Sequence, residues 1–191
     1  MSMIGCFYAV SDEDLEAIIE QPKRMHQLWG KPELPEAKPT FVSRLLGVKP
    51  KAASEPDGWQ PSGKPVAFDV DKAWHGIHFM LTGSDWEGDG PLAFILHGGR
   101  EIEEDLGYGS PHGFTASEVK EINAALQSVN EAALFERANP EDFARMDIYP
   151  QIWTKEPKEE CVGYLVEYLT GLKKFVNETA HSGRSLIAYL G

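Results

Sequence analysis

Basic residues and cysteines are scarce in this chain, and long apolar runs are missing. Of 191 residues, 18 are Lys or Arg against 30 Asp or Glu, giving a net charge of −12 and a pI near 4.9. That balance argues against a nucleic-acid partner, because binding a phosphate backbone rests on cationic side chains. The two cysteines, Cys6 and Cys161, are far apart and in no metal-ligand or redox spacing. A disulfide framework is therefore not expected, and a reducing cytoplasm is the expected compartment. No uncharged apolar run approaches the roughly 18–20 residues needed to cross a bilayer, so no membrane association is expected. The first ten residues carry no basic flank and lead straight into Ser11, Asp12, Glu13 and Asp14, unlike a secretory signal.

Catalytic and cofactor signatures are missing too. There is no G-x-x-x-x-G-K-[ST] phosphate loop and no G-x-S-x-G elbow. Gly107-Tyr108-Gly109 with Gly113 comes within one residue of the dinucleotide fingerprint, but Glu103, Glu104 and Asp105 just before it would repel a pyrophosphate. No cofactor is implied, and neither cysteine sits in a nucleophile context.

What is present reads as a globular chain. Hydrophobic residues make up 42%, charged 25% and aromatic 10%, and the length fits one domain over 1–191. Residues 21–65 stand apart: they hold eight of the thirteen prolines and carry a charge of +4, leaving −16 for the rest. Such a stretch breaks regular structure and reads as a long connection. Its aromatics, Trp29, Phe41 and Trp59, argue that it packs on the body, with short helical pieces around Met25 and Leu28 and around Phe41, Leu45 and Leu46.

Outside it, strand and helix patterns alternate. Ile4–Val10 reads as a buried strand, and Ser11 caps a helix bearing Leu15, Ile18 and Ile19. Val66–Val70 alternates like a short strand, and Asp71 opens an all-round apolar helix that Gly83 ends. Pro91–His97 reads as the central strand. Thr115 with Glu118 forms a capping box for a helix to about Gln127, and Asn139-Pro140 starts another. Val162, Leu165, Leu169, Leu172 and Val176 mark the longest helix, and Ser185–Leu190 reads as a last strand. The expected fold is α/β or α+β, with a mixed sheet of about four strands covered by helices.

Candidate chemistry concentrates in residues 83–113, which hold eight of the eighteen glycines and seven acids. His97, Gly98, Gly99 and Glu101 would stand beyond the carboxyl end of the strand read at 91–97, where open sheets bind ligands. Tyr108 and His112 follow in the same loop. Trp74, His75 and His78 lie on the apolar helix just before it, the histidines at i and i+3. Two such histidines could supply part of a metal site, which needs three or four converging ligands. They serve equally as core groups bonded to a carbonyl or carboxylate, and the glycines equally serve tight turns.

The segments Met3-Ile4-Gly5, Asp69 to Phe79, Leu81-Thr82-Gly83, Gly98-Gly99, Gly107-Tyr108-Gly109, Phe114-Thr115 and Asp147 to Pro150 occur in an order that resembles the YfbM-like family. The family is bacterial and of unknown function. The resemblance implies one compact α/β or α+β body in a bacterial cytoplasm and supplies no activity.

Two readings of different class follow. One is a non-catalytic binding module, an adaptor or an immunity-type inhibitor, whose acidic surface takes a basic protein partner. The other is an enzyme or small-molecule binder with its site between the His75/His78 helix and the Gly-rich loop 97–113. It requires His75, His97, Glu101 and Tyr108 to converge.

Overall fold

The computed structural model describes residues 2–29 and 58–191. Most of the proline-rich connection, including the pieces around Phe41, Leu45 and Leu46, lies outside the described residues, as does the side chain of Trp29. Five strands form one open sheet: β1 (Gly5–Val10), β2 (Val66–Asp69), β3 (Arg100–Glu101), β4 (His112–Phe114) and β5 (Ser185–Leu190). Their order is β2-β1-β5-β4-β3. The longest ladder joins β1 to β5, from Gly5 opposite Leu190 to Val10 opposite Ser185.

Period-two alternation sends side chains to opposite faces of the sheet. Phe7, Ala9, Leu186, Ala188 and Phe114 enter a core shared with α2 (Trp74–Thr82), α3 (Ala116–Gln127) and α6 (Lys158–His181). Val10, Ile187 and the half-buried Tyr8 meet Leu15 and Ile18 of α1 (Asp12–Glu20), with Met25 and Leu28 of the 3-10 turn Pro22–Trp29. Both faces are thus covered, which is why β1 and β5 read as nearly continuous apolar runs.

The helix ends follow their capping chemistry. Ser11 Oγ accepts the Asp14 N–H at 3.0 Å at the start of α1. The Thr115–Glu118 box closes the start of α3, with Glu118 Oε2 accepting the Thr115 N–H at 2.8 Å. Gly83, at φ 78°, ends α2 by donating its N–H to Phe79 O. Two short helices, α4 (Glu131–Arg137) and α5 (Pro140–Arg145), the latter capped by Asn139, bridge α3 to α6. On α6, Val162, Leu165, Leu169, Leu172 and Val176 form the buried stripe. Gly76 lets α2 approach it, since a Cβ there would stand 2.7 Å from a Leu165 methyl.

The sheet corrects the sequence reading at one place. Residues 91–97 form no strand: Pro91–Ala93 is a 3-10 turn, and the N–H groups of Leu96 and His97 return to Ala93 O. Ala93, Phe94 and Ile95 are buried as expected, but in a turned segment inserted beneath α2 and α3. A short apolar run does not distinguish a buried strand from a buried turn. The strands that do extend the sheet here are β3 and β4, so it has five strands where about four were expected. Every pairing is antiparallel rather than mixed, because these two strands and β2 all run opposite their neighbours. No helix among the described residues is long and apolar enough to cross a membrane.

Candidate functional site

The apolar helix and the glycine-rich segments meet at residues 84–87, the loop between Gly83 and the turn at Pro91. His75 is fully buried. Its Nδ1 accepts the Tyr149 N–H at 2.9 Å, so that nitrogen carries no proton, and Nε2–H donates to Asp85 O at 2.9 Å. The ring is thereby fixed as one neutral tautomer. His78, also at 0% exposure, donates Nε2–H to Glu87 O at 3.0 Å. His97 donates from Nε2 to Trp86 O. Three histidines therefore hold three consecutive backbone carbonyls, those of Asp85, Trp86 and Glu87.

Burial sets the charge of the two inner histidines. It pushes the His75 pKa down, against the raising influence of the Asp85 carbonyl and the Asp85 and Asp147 charges. It lowers His78 to about 4, with His97 and His75 adding to the effect and the Glu87 carbonyl and Asp85 opposing it. Both are neutral donors at neutral pH. His78 Nδ1 and Trp74 Nε1 are buried with no hydrogen-bond partner among the described residues, two atoms on side chains one helical turn apart.

The held loop presents Trp86, which is 50% exposed. Its ring packs against His75 at 4.5 Å and Trp74 at 5.8 Å between centroids, and Trp74 stacks in turn on His75 and Tyr149. Inside the loop, Asp85 Oδ1 accepts the Trp86 N–H at 2.8 Å. Glu87 and Asp89 are exposed beside it.

Of the residues singled out in the sequence, Trp74, His75, His78 and His97 thus come together around one loop. Gly98 and Gly99 follow His97 into a separate shallow groove of about 210 Å³ against α3, lined also by Phe94, Phe114 and Glu121. His112 serves that groove's wall from outside, its Nδ1 donating to Gly98 O at 2.9 Å. Glu101 pairs with His112 across β3 and β4 and is exposed. Tyr108 stands partly exposed in the connection between those strands, and no hydrogen bond joins it to the histidines among the described residues. Among the described residues, no three His, Cys, Asp or Glu side chains are grouped to hold a metal ion. Burial raises the thiol pKa of both Cys6 and Cys161, the opposite of what an activated nucleophile needs. Sequence reasoning passed over Trp86 and Glu121. The signal for Trp86 was a lone tryptophan inside a Gly- and Asp-rich loop.

No curated protein matches the chain. The crystal structure of YfbM from Escherichia coli, a protein of unknown function, is similar to it with a TM-score of 0.66 at 18% sequence identity. The match covers 98% of this chain and 99% of that one, and at this identity it is a likeness of fold. The model of a family described as a domain of unknown function, DUF1877, matches residues 1–189, and the chain belongs to that family.

Proposed function

We propose that this chain is a non-catalytic protein-binding module, of adaptor or immunity type, acting in a bacterial cytoplasm on a basic protein partner. The observation that carries the reading is Trp86: a half-exposed tryptophan on an acidic loop whose three consecutive carbonyls are pinned by His75, His97 and His78. Tryptophan is among the residues that dominate binding energy at protein interfaces. A loop already held in place loses little conformational entropy on association, so more of the contact energy appears as affinity. Glu87 and Asp89 beside the ring, and the −12 net charge, favour a positively charged partner and faster encounter with it.

The test compares the native chain with Trp86→Ala as bait in the source cells, followed by reconstitution with each purified captured protein. We expect a partner with a basic contact surface whose affinity falls roughly thirtyfold in the variant, the size of a hot-spot loss of about 2 kcal/mol. Salt should weaken the complex. If every captured protein binds Trp86→Ala as tightly as the native chain, the reading is wrong.

A further inference from the structure

We propose that the groove between residues 90–99 and α3 receives a single arginine side chain of that basic partner, so this inference rests on the reading of the chain as a protein-binding module. Phe94 and Phe114 line the groove and are themselves buried, as is Ile122, so apolar and aromatic groups form its floor. Gly98 and Gly99 form one wall without side chains of their own. On α3, Glu118 commits Oε2 to the Thr115 backbone and hydroxyl, whereas the exposed Glu121 has no ion-pair or hydrogen-bond partner among the described residues.

Three properties select the occupant. Size comes first: about 210 Å³ falls below the roughly 300–1,000 Å³ of small-molecule sites, and suits one long side chain. Chemistry comes second. A guanidinium is planar and weakly hydrated, it lies well on aromatic and apolar surface, and it pairs with a carboxylate at the edge. A carboxylate or phosphate ligand would meet Glu121 and Glu118 instead. Position comes third: His97 lines the groove and also donates to Trp86 O, so the groove adjoins the loop that carries the exposed tryptophan. A partner that covers Trp86 therefore lies within reach of the groove.

The experiment titrates N-acetyl-arginine amide into the isotope-labelled full chain and follows backbone amide shifts, with N-acetyl-citrulline amide as a neutral probe of the same shape. Saturating shifts confined to Gly98, Gly99, Glu121, Ile122 and their neighbours are expected with arginine and not with citrulline. Glu121→Gln, an exposed substitution, should weaken arginine binding about fivefold. Equal shifts with citrulline, or arginine shifts spread without saturation over the acidic segments 12–16 and 101–105, overturn the proposal. So does arginine binding that survives Glu121→Gln at native strength. Because this titration needs no partner, the arginine groove and the Trp86 reading fail independently: Trp86-dependent capture that is unaffected by Glu121→Gln removes only the former.

Discussion

His75 and His78 differ in what the second ring nitrogen meets, and the difference separates their expected contributions. His75 satisfies a carbonyl with one nitrogen and the Tyr149 N–H with the other. Replacing it by Leu leaves two half-buried backbone groups facing an apolar side chain without partners, at about 1–3 kcal/mol each. We expect His75→Leu to lower the unfolding free energy in urea by about 2–4 kcal/mol, and a loss below about 1 kcal/mol would mean that the ring is not what holds the loop. His78 has one satisfied nitrogen and one with no partner among the described residues. Its pKa is about 4 in the fold, against an ordinary histidine value of 6.5. Above that ordinary value neither state binds the proton and the shift contributes nothing. As pH falls below it, the unfolded chain takes up the proton first, so stability is lost down to about pH 4. Between pH 7 and 4.5 the native chain should lose about 2–3 kcal/mol more than His78→Gln, whose amide still reaches Glu87 O. Parallel pH profiles of the two proteins would refute this assignment.

At the scale of elements, the β3–β4 hairpin rests on a close backbone approach. Gly99 has φ 61°, and a Cβ there would lie 2.5 Å from Gly113 O and 2.9 Å from the Phe114 ring. The obstacle is backbone, which cannot swing away as a flexible side chain would. Gly99→Ala should therefore cost about 2 kcal/mol or more, with amide shifts centred on the Arg100–Gly113 pair. A variant as stable as the native chain would show that the hairpin adjusts freely. This hairpin was also the part least legible in the sequence. β1, α1, α3, α6 and β5 were readable because caps, stop signals and periodicity agreed with one another: Ser11 with Asp14, Thr115 with Glu118, Gly183 after the α6 stripe. β3 and β4 have two and three residues, too few to show alternation, and are made of Arg, Glu, His, Gly and Phe. Their neighbour, the run 91–97, had a strand's hydrophobicity without its hydrogen bonds. The site was legible to the same degree. The buried histidines were visible as core groups awaiting carbonyls, whereas the carbonyls they meet lie in a loop whose path no local pattern encodes.

For the molecule as a whole, the acid excess acts on stability as well as on recognition. Among the described residues, few ion pairs offset it: Arg100 with Glu16, Arg145 with Asp142, and Lys173 with Glu131. Of these, the Lys173 pair has the most enclosed base: the Lys173 side chain is 11% exposed and its ammonium also donates to Val129 O, so it is the least open to screening. The Arg100 and Arg145 pairs are more exposed and therefore contribute little. Twelve uncompensated negative charges repel one another in the compact state and separate on unfolding. Added salt shortens the range of that repulsion to about 8–10 Å near physiological ionic strength. Repulsion summed over the surface outweighs the loss of a few exposed pairs, so sodium chloride should stabilise this protein. We expect its melting temperature to rise from 10 mM to 300 mM NaCl, where each kcal/mol is worth roughly 2–4 °C for a chain of this size. A falling melting temperature would show instead that specific pairs dominate. The same field that would draw in a basic partner thus works against the isolated fold, and binding that partner should relieve the repulsion as salt does.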